Sequence, residues 1–413
     1  MTSDATNPPI LRRAITLPLL TLYGLGVTVG AGIYVLIGAT VADAGAYAWV
    51  AFLLAAFVVG FTAFSYAELT TRYPVSAGEA AYIEAGFGTP RFAMIVGLFV
   101  ALSGMVSASA IAVGAAGYLG ALTGTAAFPT TIGIVIAMGL LAWWGISESV
   151  TAAAIVTIIE ILGLLFVILW GLAVADQGGV TVDALIPPLQ GDHWAGIVAA
   201  SLLAFFAFIG FEDMVNVAEE VENPRRNMPL AIVITLVIAT ILYVATCIAV
   251  LMAVPIDSLA GAEAPLSLVF AGGPDVVKAS FAAVAVVATM NGVLIQMIMS
   301  SRVLYGMADR GRLPAMFKQV SRRTQTPGVA TACVTLIILG LSLFLPIDEL
   351  AAWTSQIVLG VFVCVNLALI ALKWRGQAGE DAFGVPMIVP ILGVLTSVGL
   401  FVATALAANF NVP

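Results

Sequence analysis

Charged residues, cysteine and histidine are scarce in this sequence of 413 residues. Charged side chains make up only 9% of it, whereas hydrophobic ones make up 62%, and the mean hydropathy is +1.11. The three cysteines (Cys247, Cys333 and Cys364) all lie in apolar stretches, and His193 is the single histidine. These counts argue against a disulfide framework and against a metal centre. A composition this apolar is not that of a soluble domain.

Catalytic and nucleotide-binding motifs are also missing. The sequence has no glycine-rich phosphate loop, no serine–histidine–aspartate set and no paired metal motif. It therefore predicts neither an ATP-driven pump nor an enzyme. We expect no cofactor, no bound metal and no nucleic-acid partner.

Apolar runs of membrane-spanning length fill most of the chain. A helix needs roughly 20 residues to cross the ~30 Å hydrocarbon core of a bilayer, and eleven runs fit this length with some tilt. They cover about 14–41, 48–71, 92–121, 129–145, 151–175, 195–217, 229–254, 276–304, 328–346, 351–372 and 385–409. Because the connections are short, we predict an all-α integral membrane protein that forms one bundle in the lipid bilayer.

Positive charge is concentrated on one side of this predicted topology. If the N-terminus is cytoplasmic and the eleven spans alternate, only Lys278 among the 15 lysines and arginines falls outside. Retention of positive charge in the cytoplasm predicts such a bias. We therefore expect a multi-pass protein of the cell membrane with its N-terminus in the cytoplasm and its C-terminus outside.

Glycine interrupts two of the predicted spans, almost half a chain apart. The first reads Gly-Val-Thr-Val-Gly-Ala-Gly-Ile-Tyr (26–34), and the second reads Phe-Ala-Phe-Ile-Gly-Phe-Glu-Asp (206–213). Glycine weakens a helix, so a span that keeps it often uses the exposed backbone. Paired breaks of this kind point to the substrate site of an inverted-repeat transporter. The alternative is that these glycines only allow helices to pack closely.

The two breaks together complement a zwitterion. The half-helix that follows residues 30–32 presents free N–H groups and the positive end of its dipole, which suit a carboxylate. Around residues 206–210 an incoming half-helix ends and frees carbonyl oxygens, which suit an ammonium group or a cation. The pair of breaks therefore predicts a site for an α-amino acid.

Four motifs, in order along the chain, resemble the amino acid–polyamine–organocation transporter superfamily. They are Val-Gly-Ala-Gly-Ile-Tyr-Val-Leu-Ile-Gly (29–38), Tyr-Pro-Val-Ser-Ala-Gly-Glu-Ala-Ala-Tyr (73–82), Phe-Phe-Ala-Phe-Ile-Gly-Phe-Glu (205–212) with the acidic Asn-Pro-Arg-Arg segment that follows it (218–229), and Ser-Arg-Val-Leu-Tyr-Gly-Met-Ala-Asp-Arg-Gly-Arg-Leu-Pro (301–314). The match extends over roughly residues 20–330. Four motifs in the family's order are far more specific than any one of them alone.

The resemblance implies the five-plus-five inverted-repeat fold of leucine-transporter-like proteins. Residues 1–13 would be a cytoplasmic tail, residues 14–175 the first repeat of five helices, and residues 195–372 the second, inverted repeat. Helices 1 and 6 would be the broken ones. Residues 385–409 would add one helix, whereas many members of the superfamily have two.

The resemblance also implies the residues that bind substrate. Backbone groups at Gly30, Ala31 and Gly32 would bind the substrate carboxylate. Carbonyl oxygens in the sixth span would bind its amino group, at positions that match Phe206, Ala207 and Ile209. Phe206 and Phe208 either gate the site or simply pack within the bundle.

The third predicted span bears on which amino acid is carried. Members of the superfamily that transport cationic amino acids can have an acid near the position of Ser103. This chain has no acid between Phe92 and Gly120. We therefore expect a neutral amino acid, recognised by apolar and small residues such as Ser103, Ser107 and Phe206.

Glu160 is an acidic residue in the fifth predicted span, where proton-coupled relatives often have a lysine. Ionisable residues inside a span are costly to bury and are functional candidates. Glu160 would either carry a proton or bind Na⁺ together with carbonyls near Gly30 and hydroxyls such as those of Ser300 or Ser301. The alternative is a structural carboxyl that hydrogen-bonds to a neighbouring helix.

Three other polar residues within the spans also have expected roles. Glu212 matches an acidic position of the family's sixth-span motif, so we expect it beside the second break. Asn291, in the eighth span, either faces the cavity or bonds across helices, and we favour the second. Glu68 lies near the cytoplasmic end of its span, where ion pairing with Arg72 or solvation at the membrane interface would account for it.

These observations predict a secondary-active transporter that moves a neutral α-amino acid by alternating access, coupled to H⁺ or Na⁺. Two alternatives stay open. One is an exchanger of amino acids or amines without ion coupling. The other is a non-transporting amino acid sensor that uses the same pocket.

Overall fold

The described part of the chain is almost entirely α-helical. A computed structural model describes residues 13–30, 32–75, 78–144, 150–175, 179–189, 191–321, 324, 326–376 and 383–410. Its α-helices are α1 (Leu17–Val29), α2 (Gly32–Ala44), α3 (Ala48–Arg72), α4 (Gly78–Phe87), α5 (Pro90–Thr123), α6 (Ala127–Trp144), α7 (Val150–Ala173), α8 (Gly191–Phe206), α9 (Pro224–Ala253), α10 (Ile256–Leu259), α11 (Asp275–Asp309), α12 (Gly328–Phe344), α13 (Ile347–Trp374) and α14 (Ile388–Phe410). A 3₁₀ segment, Phe211–Glu220, follows α8. The predicted tail, residues 1–13, lies outside the described residues except for its last residue.

The helices agree with the eleven predicted spans. Within the described residues, nine helical stretches are long and apolar enough to cross a membrane, and one of them, residues 32–72, holds both α2 and α3. Two shorter apolar helices, α1 and α12, complete the set. Because α1 and α2 together form one broken span, and α3 and α12 form spans of their own, the count is eleven.

The contacts between helices have the symmetry of two inverted repeats. Helices α3, α5 and α6 of the first repeat each pack against their counterparts α9, α11 and α12 of the second. Helix α1 packs against α7 and α9, and its counterpart α8 packs against α13 and α3. Helix α14 packs against α3, α8 and α13 and has no counterpart in this exchange. The protein therefore has the all-α five-plus-five membrane fold with one additional helix.

Glycines allow α5 to lie at the centre of the bundle. A Cβ atom added to Gly114 would lie 2.4 Å from a methyl group of Val35 on α2. One added to Gly104 would lie 2.4 Å from the hydroxyl oxygen of Ser300 on α11. Any side chain at these two positions would push the neighbouring helix away. Close approach of α5 to α2 and α11 is what encloses the space beside the helix breaks.

A buried ion network joins α3, α13 and the chain that enters α14. Glu68 is fully buried, pairs with Arg72 one turn along α3, and lies 2.7 Å from the Nζ atom of Lys373 on α13. The same carboxylate accepts a hydrogen bond of 2.8 Å from the N–H of Val385. A buried carboxylate is tolerated when cations and N–H donors surround it in this way. The predicted pairing of Glu68 with Arg72 is confirmed, and the network also anchors α14.

Candidate functional site

The first break separates α1 from α2. Helix α1 ends at Val29, Gly30 still has helical backbone angles, and α2 begins at Gly32. Ala31, predicted to bind substrate, lies outside the described residues. A Cβ atom added to Gly32 would lie 2.3 Å from the Cα atom of Ala207. The backbones of the two breaks are therefore in direct contact, which only glycine permits at this position.

The second break lies over residues 207–210, between α8 and the 3₁₀ segment. Gly210 has a φ of +124°, which residues with a side chain rarely adopt. A Cβ atom there would also lie 2.7 Å from the carbonyl oxygen of Val27. The N–H of Gly210 donates a hydrogen bond of 2.8 Å to the carboxylate of Glu212. Glu212 therefore lies beside the second break, where the sequence placed it, and closes the turn.

Tyr243 of α9 joins the two breaks. Its hydroxyl oxygen lies 2.7 Å from the carbonyl oxygen of Thr28 and 2.7 Å from that of Ala207. One hydroxyl carries one proton, so it can donate fully to only one of these carbonyls at a time. Phe208 packs edge-on against the Tyr243 ring, with centroids 5.0 Å apart. Tyr243 was not predicted from the sequence, because nothing in the apolar pattern of its span distinguishes it.

A small pocket lies between the two breaks, α5 and α11. Its lining residues come from four parts of the chain: Val27, Thr28, Gly32, Ser107, Ile111, Phe206, Ile209, Gly292, Ile295 and Gln296. Three residues that were predicted to bind substrate, Gly32, Phe206 and Ile209, are therefore brought together. All of these lining residues are uncharged. Phe208 is absent from the lining because its ring packs on Tyr243.

The α5 and α11 walls of the pocket differ from the sequence prediction. Ser103 does not line the pocket, and its hydroxyl donates a hydrogen bond of 2.8 Å to the Val100 carbonyl. Ser107, one turn further along α5, was named with Ser103 from the sequence and does line the pocket. Gln296 of α11 also lines it and was not predicted. A glutamine in the middle of an apolar span was the available signal.

Glu160 of α7 lies over the first break. Its side chain is fully buried, and a Cβ atom added to Gly30 would lie 3.3 Å from each carboxylate oxygen. The Nδ2 atom of Asn291 on α11 is 3.5 Å from Oε1, a long contact for a hydrogen bond. The Tyr34 hydroxyl of α2 donates to the Glu160 backbone carbonyl at 2.9 Å. Groups of α1, α2, α7 and α11 thus meet at this residue. Asn291 contacts a neighbouring helix, which is the alternative that the sequence analysis favoured for it.

The contacts described for Ser300 and Ser301 are with groups other than Glu160. The Ser301 hydroxyl donates within its own helix, and the Ser300 hydroxyl lies against Gly104 of α5. Ser300 follows Asn291 by nine residues, which is two and a half helical turns and roughly 13 Å along the axis. That spacing puts it on the opposite face of α11. The polar group of α11 that contacts the Glu160 carboxylate is Asn291, and a part for the two serines in binding Na⁺ stays a prediction.

A second group of buried acids lies beyond the second break. Glu79 of α4 accepts a hydrogen bond of 3.1 Å from the Tyr66 hydroxyl. Burial raises the pKa of the Glu79 carboxyl, and this hydrogen bond opposes that effect only in part. Glu212 and Asp213 are close enough for their charges to interact with that of Glu79. None of the three acids lines the pocket.

Comparison with known proteins agrees with this geometry. The family model described as Amino acid permease matches residues 17–412. Cationic amino acid transporter 2, vacuolar, of Arabidopsis thaliana is 32% identical over 389 residues, which cover 88% of this chain and 60% of the relative. Branched-chain amino acid permease BcaP of Bacillus subtilis (strain 168) is 31% identical over 402 residues, which cover 91% of this chain and 84% of the relative.

The relatives differ in the substrates that their names give. Methylthioribose transporter of Bacillus subtilis (strain 168) is 26% identical over 399 residues, which cover 92% of this chain and 85% of the relative. The names therefore range from cationic and branched-chain amino acids to a sulfur-containing sugar. The family match, the broken helices and the five-plus-five fold all agree. The chain belongs to the amino acid permease family of the amino acid–polyamine–organocation transporter superfamily.

Proposed function

We propose that this protein is a secondary-active transporter of neutral α-amino acids, coupled to H⁺ or Na⁺ through Glu160. The observation that carries the proposal is the buried carboxyl of Glu160 against the first break, beside a pocket that both breaks line. A group that takes up a cation next to the substrate backbone site can link the occupancy of the two.

The main-chain ends of an amino acid fit the two breaks. The first N–H groups of α2 have no partner within their helix and lie at the positive end of its dipole, so they suit the substrate carboxylate. The second break supplies the carbonyls on the other side of the pocket. One of them, at Ala207, is held by the Tyr243 hydroxyl, which it shares with Thr28.

The lining of the pocket supports a neutral side chain. A cationic substrate needs a carboxylate partner when it is taken out of water. The described lining residues include no acid, and Ser107 and Ile111 are what α5 contributes. One of the relatives is named a branched-chain amino acid permease. The lining of this pocket suits substrates of that class better than it suits a cationic substrate.

The buried position of Glu160 supports ion coupling. An ionised carboxylate inside a membrane protein is costly, and binding of H⁺ or Na⁺ removes that cost. Because the carboxyl lies on Gly30, its ion occupancy acts directly on the backbone of the first break. Asn291 and the carbonyl oxygens that end α1 are the groups at hand to complete a Na⁺ site.

Reconstitution into liposomes tests the proposal. Uptake of labelled amino acids is measured with an imposed proton gradient, an imposed sodium gradient and neither. We expect saturable uptake of neutral amino acids that one gradient stimulates. In Glu160→Gln, which keeps the shape of the side chain, that stimulation should be lost while exchange against preloaded substrate remains.

Glu79→Gln is the matched control, since it neutralises another buried carboxyl, away from the pocket, and should keep gradient stimulation. Gradient-driven uptake in Glu160→Gln equal to that of the natural protein would make Glu160 structural. Uptake of arginine or lysine in preference to every neutral amino acid would overturn the proposed substrate class. Uptake that requires preloaded substrate and ignores both gradients would identify an exchanger.

A further inference from the structure

Two buried polar atoms of the pocket have no hydrogen-bond partner. They are the Oε1 atom of Gln296 and the Oγ1 atom of Thr28. The Gln296 side chain belongs to a residue that is only 6% exposed, and Thr28 is 1% exposed. Most buried polar atoms in proteins are hydrogen-bonded. Leaving such an atom without a partner costs more free energy than a typical hydrogen bond contributes. An unpaired amide oxygen at a binding pocket therefore points to a ligand that donates a hydrogen bond to it.

Gln296 lines the pocket from α11, the helix that packs against α5. A Cβ atom added to Gly104 of α5 would lie 3.1 Å from the Oε1 atom of Gln296. This oxygen is therefore close to the backbone of α5. Ser107 of the same helix lines the pocket beside it. When the substrate main chain lies at the two breaks, the part of the lining left for its side chain is the part that α5 and α11 supply. The amide is thus placed to contact the end of the side chain.

The rest of the lining limits what that side chain can be. The lining also has apolar side chains, those of Ile111, Phe206, Ile209 and Ile295. A cationic end would be left without a carboxylate, whereas a hydroxyl or a carboxamide pairs fully with a neutral amide.

We propose that Gln296 is a specificity-determining residue, which hydrogen-bonds a hydroxyl or carboxamide on the side chain of a neutral substrate. This inference rests on the proposed function and narrows its substrate class to polar neutral amino acids such as serine, threonine and asparagine. Thr28, at the end of α1, offers a second hydroxyl to the same ligand. Apolar amino acids of the same shape leave the amide unpaired and bind less well.

Competition between substrates of matched shape tests the inference. In proteoliposomes, threonine is compared with valine, serine with alanine and asparagine with leucine as competitors of labelled uptake. We expect the polar member of each pair to compete about tenfold better, the effect of one net hydrogen bond. In Gln296→Met, which keeps the length of the side chain without its amide, the preference should disappear or reverse.

Two further variants make the result decisive. Gln296→Leu provides a second apolar replacement, so the conclusion does not depend on the folding of one variant. Gln356→Met makes the same change on α13 at a residue that does not line the pocket, and it should keep the natural preference. Thermal unfolding of each purified variant checks that it is folded.

The failure of this inference differs from the failure of the proposed function. If valine competes as well as threonine and the Gln296 variants change no ratio, the specificity role is wrong although amino acid transport stands. If no amino acid competes at all, both proposals are wrong. Selective loss of threonine, serine and asparagine recognition in the Gln296 variants alone establishes the role.

Discussion

The two helix breaks are counterparts in the inverted repeat, yet different groups support them. At the first break a carboxyl from another helix, Glu160 of α7, lies on Gly30. At the second break the supporting carboxyl, that of Glu212, comes from the same segment and accepts the N–H of Gly210. The first break is thus supported by a residue of another helix, whereas the second is closed by its own chain.

The helices that correspond to each other behave differently as well. Helix α13 is the counterpart of α7, but near the second break it brings Phe362 instead of an acid. The Phe362 ring lies 5.7 Å from that of Phe205 and 5.6 Å from that of Phe211, centroid to centroid. Aromatic packing of this kind has no response to ions. Under the proposed coupling through Glu160, the comparison predicts that the ion acts at the first break and that the second provides a stable reference.

The largest effect is expected where the breaks touch. In Gly32→Ala the new methyl group would lie 2.3 Å from the Cα atom of Ala207. No rotamer change can relieve this contact, because the atom that it meets belongs to the backbone. We expect uptake to fall to background and thermal stability to fall as well. Gly133→Ala, on α6, is the control, because a Cβ there meets nothing within 4 Å. Normal uptake by Gly32→Ala would contradict the direct contact of the two breaks.

Tyr243→Phe tests whether the breaks depend on a shared donor. It leaves the buried carbonyls of Thr28 and Ala207 without the hydroxyl, so we expect the free energy of unfolding to fall by about 1–3 kcal/mol and substrate affinity to weaken. Thermal unfolding and substrate binding measure the two effects. Tyr82→Phe removes a buried hydroxyl that has no hydrogen-bond partner and should not destabilise the protein. Equal effects of the two changes would show that the breaks do not depend on the Tyr243 hydroxyl.

Glu212 separates hydrogen bonding from charge at the second break. Glu212→Ala removes the acceptor of the Gly210 N–H and should cost about 1–2 kcal/mol of stability. Glu212→Gln keeps an acceptor oxygen at nearly the same place, so its cost should be smaller and its ion dependence normal. Uptake at several imposed gradients, with thermal unfolding, distinguishes the variants. Loss of ion dependence in Glu212→Gln would show that both breaks respond to ions, so that the two breaks would not differ in this respect.

The smallest effect is expected at the contact between α13 and α8. The Ser355 hydroxyl donates a hydrogen bond of 2.9 Å to the carbonyl of Leu202 on α8. Ser355→Ala should lower stability by about 0.5–1 kcal/mol and leave ion dependence unchanged. In Ser201→Ala the lost hydrogen bond lies within a single helix, so its effect on stability should be smaller still. A change in ion dependence in Ser355→Ala would assign the second break a part in coupling.

Features that depend on local sequence were predictable. Long apolar runs specify spans because only a helix satisfies its backbone in lipid, and glycines mark the breaks because they weaken that helix. The position of Glu212 beside the second break was predicted because it lies two residues from Gly210, whose N–H donates a hydrogen bond to it. The pairing of Glu68 with Arg72 followed from their spacing of four residues on one helix.

Features that depend on how helices face each other were decided only by the tertiary structure. Ser300 and Asn291 both lie on α11, but a phase difference of half a turn puts one against α5 and the other at Glu160. Tyr243 and Gln296 are single polar residues in apolar spans, and their positions relative to the breaks depend on helix rotation and tilt. Hydrophobic pattern determines that a span exists, since every face of it is apolar. It carries too little asymmetry to determine which face meets the pocket, and packing against the neighbouring helices makes that choice.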